Sequence, residues 1–394
     1  MHDPRTRLIH HPYVPPAGFV APAPAVHKAS TVIFPDTAAL HARTWKDKRG
    51  YTYGLHGTPT SFTLEERIAT LEGGLHTLLV PSGLAAITLV DLALLRSGDE
   101  VLIPDNAYGP NKELARHELA AWGITHRFYD PMDAAGLASM IGPATRLVWL
   151  EAPGSVTMEF PDLPELVRVC RARGVTAALD NTWGAGVAFD PFDLPLADGG
   201  RIGVDLSVHA LTKFPSGGGD VLMGSVTTRD EALHLRLKLC HMRMGWGVGG
   251  NDVELVLRAL PTLAVRYDAQ DAAARELARW WTARREVVQV LHPALPGSPG
   301  HAHWHRVATR AAGLFSVAFD PAWAPERVDA FVDALRLFRI GYSWAGPVSL
   351  VVPYRLDGMR HQPAWAGSVV RFSVGFEAVA DLIGDCRQAL DAVA

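Results

Sequence analysis

Leu206-Ser207-Val208-His209-Ala210-Leu211-Thr212-Lys213-Phe214 and, earlier in the chain, Ala178-Leu179-Asp180-Asn181-Thr182-Trp183 decide how this sequence is read. Each opens as a short apolar run of strand character and closes on one reactive group. The first presents an amine, the second a carboxylate. An amine and an acid set side by side at neighbouring strand ends are what pyridoxal 5'-phosphate requires: a nucleophile for its aldehyde and a counter-charge for its ring nitrogen.

Outward from these runs the same pattern repeats. Strand candidates at 76–80, 100–103, 125–129, 146–150, 176–179, 206–209 and 222–226 alternate with helical stretches such as 84–95, 111–121 and 164–173. That alternation predicts an α/β fold with a mostly parallel seven-stranded sheet flanked by helices on both faces. Ligands of such sheets bind at the carboxyl ends of the strands, where Asp180 and Lys213 fall. Before this region, residues 1–60 are rich in Pro, His, Gly and Thr and read as an extended arm that packs on another surface or subunit. Helical spacing over 62–71 then stops at Glu72-Gly73-Gly74. The large domain is expected over 61–258. Residues 252–290 read as long helices crossing a boundary, and 259–394, with strands at 312–319, 348–352 and 369–374, as a smaller α+β domain.

Composition narrows the function. At 394 residues the chain exceeds one compact core. Its net charge of −4, from 37 basic and 41 acidic residues, comes without a basic stripe, so no nucleic-acid partner is expected. Cys170, Cys240 and Cys386 lack metal-ligand spacing and read as apolar residues of a reducing cytosol. No segment has the length of a membrane span, and the N-terminus lacks the apolar core of a signal peptide. A cytoplasmic enzyme is the expectation.

Further residues extend the cofactor reading. Leu78-Leu79-Val80-Pro81-Ser82-Gly83-Leu84-Ala85-Ala86 is a strand, a tight turn and a helix start, whose free N–H groups suit a phosphate. Thr212 adds a hydroxyl. Tyr108, after the 100–103 strand, is placed to stack on a flat ring. Arg371, on an alternating strand, offers a guanidinium to an α-carboxylate, with Ser343 and Trp344 nearby. Each has a plain alternative when taken alone: an ordinary turn, a surface tyrosine, a charge pointing to water.

As a set, the motifs resemble the pyridoxal-phosphate-dependent Cys/Met metabolism (trans-sulfuration) family. The resemblance runs through Tyr53-Gly54, Gly57-Thr58-Pro59-Thr60, Leu71-Glu72-Gly73-Gly74, Asp180-Asn181-Thr182-Trp183, Thr212-Lys213-Phe214, His292-Pro293-Ala294-Leu295-Pro296-Gly297, Tyr342-Ser343-Trp344 and Arg371. It implies fold type I, that of aspartate aminotransferase. It implies Lys213 as the Schiff-base lysine, Asp180 as the pyridinium partner and Tyr108 as the stacking ring. Gly83, Leu84 and Thr212 would bind the phosphate. Tyr53 would reach the phosphate of a neighbouring subunit in a homotetramer built from dimers. Lys213, Tyr108 and Tyr53 are the implied acid–base groups, while Arg371, Ser343, Trp344 and Ser155 would hold a sulfur amino acid. Within Glu151-Ala152-Pro153-Gly154-Ser155-Val156, Ser155 and Val156 replace the asparagine and proline typical of γ-acting members. The implied reaction is therefore β-elimination of L-cystathionine to homocysteine, pyruvate and ammonia, a step towards methionine. γ-Elimination, cysteine desulfhydration, cysteine-S-conjugate cleavage and a non-catalytic binding role are the alternatives.

Two positions depart from the family pattern. Leu55, followed by His56, stands where an arginine usually meets the phosphate, and Ala210 stands where many members carry a serine before the lysine. A weaker phosphate cup is expected. His301, His303 and His305, with His10 and His11, alternate as metal ligands do, but their region reads as a loop and no metal site is assigned.

Overall fold

Seven strands, β1 (His76–Val80), β2 (Glu100–Pro104), β3 (Thr125–Tyr129), β4 (Thr145–Glu151), β5 (Thr176–Asp180), β6 (Leu206–His209) and β7 (Gly224–Thr228), form one sheet in the order β1-β7-β6-β5-β4-β2-β3. The computed structural model describes residue 18, residues 21–356, residue 365 and residues 367–394. The start of the expected arm, with His10 and His11, lies outside the described residues. From β3 through β6 every pairing is parallel; β7 alone runs antiparallel to both its neighbours.

Side-chain alternation explains the two covered faces. Leu147 and Trp149 of β4 pack to one side with Ile87 and Val90. Val148 and Leu150 pack to the other with Leu163 and Val167. The helices that matter for the site are α1 (Pro59–Glu72), α2 (Gly83–Leu94), α3 (Gly109–Leu114), α4 (Leu263–Thr282) and α5 (His301–Val307). Ser82 caps α2 by accepting from the Ala85 N–H, and Thr58 and Ser61 form a reciprocal capping box at the start of α1. A second sheet, in the order β8-β9-β12-β11-β10, follows from β8 (Val287–Leu291), β9 (Leu314–Phe319), β10 (Arg339–Ile340), β11 (Leu350–Tyr354) and β12 (Val369–Ser373).

Some boundaries move. β7 begins at Gly224 rather than 222, because Leu222 is 71% exposed and belongs to the loop. The 111–121 stretch begins at Gly109 and passes into a π turn, Ala115–Leu119. The end of the stretch read as helical is β8, since α4 stops at Thr282. His301, His303 and His305 lie on α5 instead of in a loop. His301 Nδ1 sits 2.8 Å from the Pro293 carbonyl, and His303 faces Asp162 at 3.5 Å. Among the described residues no group of three or more His, Cys, Asp or Glu is placed to hold a metal ion, and no helix is long and apolar enough to cross a membrane.

Candidate active site

The parallel register sets the chemistry at one edge of the sheet. Asp180 ends β5 directly opposite Glu151 of β4 and Val208 of β6, so two acids lie side by side and the chain into Lys213 leaves from the adjacent strand. Asp180 accepts from the Thr182 N–H at 3.0 Å. Burial pushes its carboxyl up, opposed by Thr182, His209 and Lys213. Glu151 is pushed well above the usual carboxylate range, chiefly by burial and then by Asp180.

Lys213 leaves a tight turn and donates from Nζ to Ser343 Oγ at 2.6 Å, 5.5 Å from the centre of the Trp344 ring. Burial first, and then the nearby Arg371 charge, lower its amine to about 8, with Asp180 pulling the other way. At pH 7 about a tenth of this amine is uncharged and nucleophilic, far more than for an ordinary lysine. The loop that brings Ser343 is strained: Ser343 takes φ +95 and Ala345 φ +66, values that side-chain-bearing residues rarely adopt.

Arg371 lies in the middle of β12, registered between Ser316 of β9 and Val352 of β11. It points into the protein, not to water, and is 7% exposed. Its Nη1 donates to the Ser155 carbonyl at 3.4 Å, and its guanidinium lies 5.2 Å from the Tyr354 ring centre. No carboxylate pairs with it among the described residues. A buried guanidinium without an acid is a seat for an anionic ligand. Ser155 is itself fixed, its N–H donating to the Asn106 carbonyl at 3.0 Å.

Tyr108 precedes α3, and its N–H donates to Glu151 Oε2 at 2.8 Å. Burial, Asp180 and Glu151 raise the Tyr108 hydroxyl, which places the ring within the field of both acids. Gly83 and Leu84 open α2, where the first N–H groups have no intrahelical acceptor. A Cβ at Gly83 would come within 2.6 Å of the Ala210 Cβ, so only glycine fits this turn. Thr212 is less free than expected. Its hydroxyl accepts from the Met223 N–H at 3.2 Å and donates to the Met223 carbonyl at 3.3 Å.

Tyr53 is not gathered into this cluster. It is half-exposed on the arm, bridged to Thr31, with its ring edge-on to His56 at a centroid distance of 6.1 Å. His56 is committed within its own chain, with Nδ1 2.8 Å from the Thr52 hydroxyl and its ring stacked on Trp45 at 4.9 Å. Burial, then Lys238 and Arg43, lower its pKa, so it is a poor stand-in for a phosphate-binding arginine. Sequence reasoning missed the anchoring roles of Glu151, Tyr354 and Asn106. Their partners are far apart in the chain, and no spacing signals them.

The donor set fits pyridoxal phosphate: an amine of lowered pKa, a carboxylate with no ion-pair partner among the described residues, helix-end N–H groups without intrahelical acceptors and a ring beside the acids. Comparison with known proteins agrees. A cystathionine beta-lyase of Bordetella avium is 40% identical over 373 residues, covering 93% of this chain and 91% of that one. An L-alanine/L-glutamate racemase of Wolbachia pipientis wMel is 33% identical over 380 residues, covering 93% and 92%. The crystal structure of metB from Corynebacterium glutamicum superposes with a TM-score of 0.85 at 28% identity, covering 99% of this chain and 98% of that one. The model of the family described as Cys/Met metabolism PLP-dependent enzyme matches residues 5–391, and the chain belongs to that family.

Proposed function

We propose that this protein is a pyridoxal-phosphate-dependent carbon–sulfur lyase that cleaves L-cystathionine by β-elimination to homocysteine, pyruvate and ammonia. The observation that carries the reading is the convergence of Lys213, held by Ser343, with a buried Arg371 that lacks an acid partner among the described residues. Bound pyridoxal phosphate supplies the electron sink that makes the substrate Cα–H acidic. Arg371 binds the α-carboxylate, and Ser155 and Tyr354 keep the guanidinium aimed. Asp180 would hold the ring nitrogen of the bound cofactor. Tyr108 covers the ring, and the N–H groups of Gly83 and Leu84 take the phosphate. A phosphate would also take over the hydrogen bond that Thr212 donates at 3.3 Å.

With the cofactor and substrate in place, Lys213 would be the base that takes the Cα proton, and its lowered pKa suits that task near neutral pH. Ser343 steers Nζ, and Trp344 walls it from water. Departure of the Cβ–S electron pair with its sulfur releases the thiol once it takes a proton. The three-carbon remainder hydrolyses to pyruvate and ammonia. Ser155 and Val156, in place of the asparagine and proline of γ-acting members, support the β route, as does the cystathionine beta-lyase name of the Bordetella relative.

The arm completes the site from outside the subunit. Tyr53 is half-exposed, and a cavity of about 510 Å³ beside it is lined by Leu55, His56, Trp45, Lys238 and His241. Facing a neighbour's phosphate, Tyr53 would make the site one shared by two subunits, and the family resemblance extends such dimers to a homotetramer. Incubating the loaded enzyme with L-cystathionine tests the function. Pyruvate with homocysteine supports it. 2-Oxobutyrate with cysteine moves the enzyme to the γ route. Racemisation of L-alanine without any 2-oxo acid would replace the lyase reading.

A further inference from the structure

Two loops leave neighbouring strands at the carboxyl ends of the large sheet. Residues 105–108 follow β2 and carry Tyr108, while residues 152–160 follow β4 and carry Ser155. The first loop is bound to the second segment at two points already described, Tyr108 N–H to Glu151 and Ser155 N–H to the Asn106 carbonyl. A buried side-chain clasp adds a third. Asn106 Nδ2 donates to Glu159 Oε2 at 3.0 Å, and the Thr157 hydroxyl donates to the same oxygen at 2.8 Å. Asn106, Thr157 and Glu159 are all buried. The partners fix which way the amide faces, since the reverse orientation would set its oxygen against an acceptor.

Three local features around the clasp are unfavourable. Asn106 Oδ1 is buried without a partner among the described residues, and Met158 takes φ +53. A Cβ at Gly154 would fall 2.1 Å from Asn106 Nδ2, so glycine alone lets the amide approach. Features of this kind persist where a segment is held to one geometry by its surroundings.

The other side of the 152–160 loop meets the second sheet beside Arg371. The Ser316 hydroxyl on β9 donates to the Val156 carbonyl at 2.7 Å, and Ser316 is registered against Arg371 of β12. Arg371 itself donates to the Ser155 carbonyl, one residue earlier. At the end of the loop the Phe160 N–H donates to the Pro299 carbonyl at 3.1 Å. One loop therefore touches the Tyr108 segment on one side and the guanidinium on the other.

We propose that Asn106 is a positioning residue for the amino-acid seat. Clasped to Glu159, it holds the 152–160 loop so that Tyr108, over the cofactor ring, and Arg371, at the carboxylate, keep one spacing. An amino acid joined to the cofactor spans that spacing, so the clasp governs how well its carboxylate is bound. The inference rests on the reading of Tyr108 and Arg371 given above.

The test uses the holoenzyme and two amines without a leaving group, glycine and methylamine, which differ by the carboxylate. Each is titrated against the visible absorption of the lysine-linked cofactor. In wild type glycine should bind at least about tenfold tighter, because Arg371 takes its carboxylate. Asn106→Ala and Glu159→Leu should weaken glycine about tenfold and leave methylamine within about twofold of wild type. Glu159→Gln keeps an oxygen that accepts from Asn106 and should bind glycine within about threefold of wild type. If neither disrupted variant folds, Ser316→Ala carries the test, with glycine weakened about three- to fivefold and methylamine unchanged. Unchanged glycine affinity in the folded variants overturns the proposal. So does an equal loss for both amines, which would mark a general loosening of the site. A wild type that binds glycine no tighter than methylamine would overturn the reading of Arg371, and this inference with it.

Discussion

The carboxyl ends of β4 to β6 and the N-terminal arm are both rich in polar side chains, yet they solve opposite problems. At the strand ends, Asp180, Lys213, Glu151 and Glu72 come from distant parts of the chain and are fixed by sheet register and by hydrogen bonds within one subunit. The arm is held on α1 by the His27 N–H to the Thr60 hydroxyl, by Lys48 between Glu65 and Glu66, and by Tyr51 stacked on Phe62, and is closed on itself by the Thr31–Tyr53 bridge. It leaves Tyr51 and Tyr53 half-exposed and Ile33 91% exposed. Chemistry that must hold to fractions of an ångström sits on the sheet, while the arm, built of loops, presents its tyrosines at the surface.

The sharpest way to break that contrast is to remove the amine. Lys213→Ala should lower turnover of L-cystathionine by about 10⁴-fold or more and abolish the visible band of lysine-linked cofactor; retention of either would remove Lys213 from its role. Next in size, Arg371→Leu should raise KM for the amino acid roughly 10- to 100-fold, with a smaller change in kcat. An unchanged KM would show that the carboxylate is bound elsewhere. On the arm the effect should be smaller and of opposite sign. Leu55→Arg restores a cation beside the cavity and should tighten cofactor binding about three- to tenfold, measured by dialysis. Unchanged affinity would mean that another group already fills that role.

Smallest in its effect on activity is a buried acid away from the site. Burial pushes Asp91 up to about 7, although the Trp149 indole N–H donates to it at 2.9 Å. The folded state therefore holds a proton that the unfolded chain gives up near pH 4, about the ordinary carboxylate value. The contribution of Asp91 to stability falls as pH rises between about 4 and 7, then stays level. Asp91→Asn still accepts from Trp149 and should gain on the order of a few kcal/mol at pH 8, with little gain at pH 4 and unchanged turnover. Denaturant midpoints at the two pH values measure this, and equal gains at both would refute the assignment.

How much was legible follows the same contrast. Continuous apolar runs mark β1, β2, β4, β5 and β6, because a strand covered on both faces is written in its own residues. β8 was hidden, since Val287–Leu291 follows directly on an Ala- and Arg-rich helix and looks like its continuation. Lys213, Asp180 and Arg371 were legible as types at strand positions. That Arg371 points inward was not, because alternation alone does not say which face is covered. Glu72 was readable only as a helix end, for its partners lie more than a hundred residues away. The intrachain ties of His56 to Thr52 and Trp45 likewise depend on how the arm folds back, which local spacing does not encode.

The most direct measurement is to load the protein with pyridoxal phosphate, reduce it with borohydride, digest it and find the modified lysine by mass spectrometry. The phosphopyridoxyl group is expected on Lys213 alone. Its recovery on Lys28, Lys46, Lys48, Lys112 or Lys238, or a protein that carries none, would contradict the site at the strand ends.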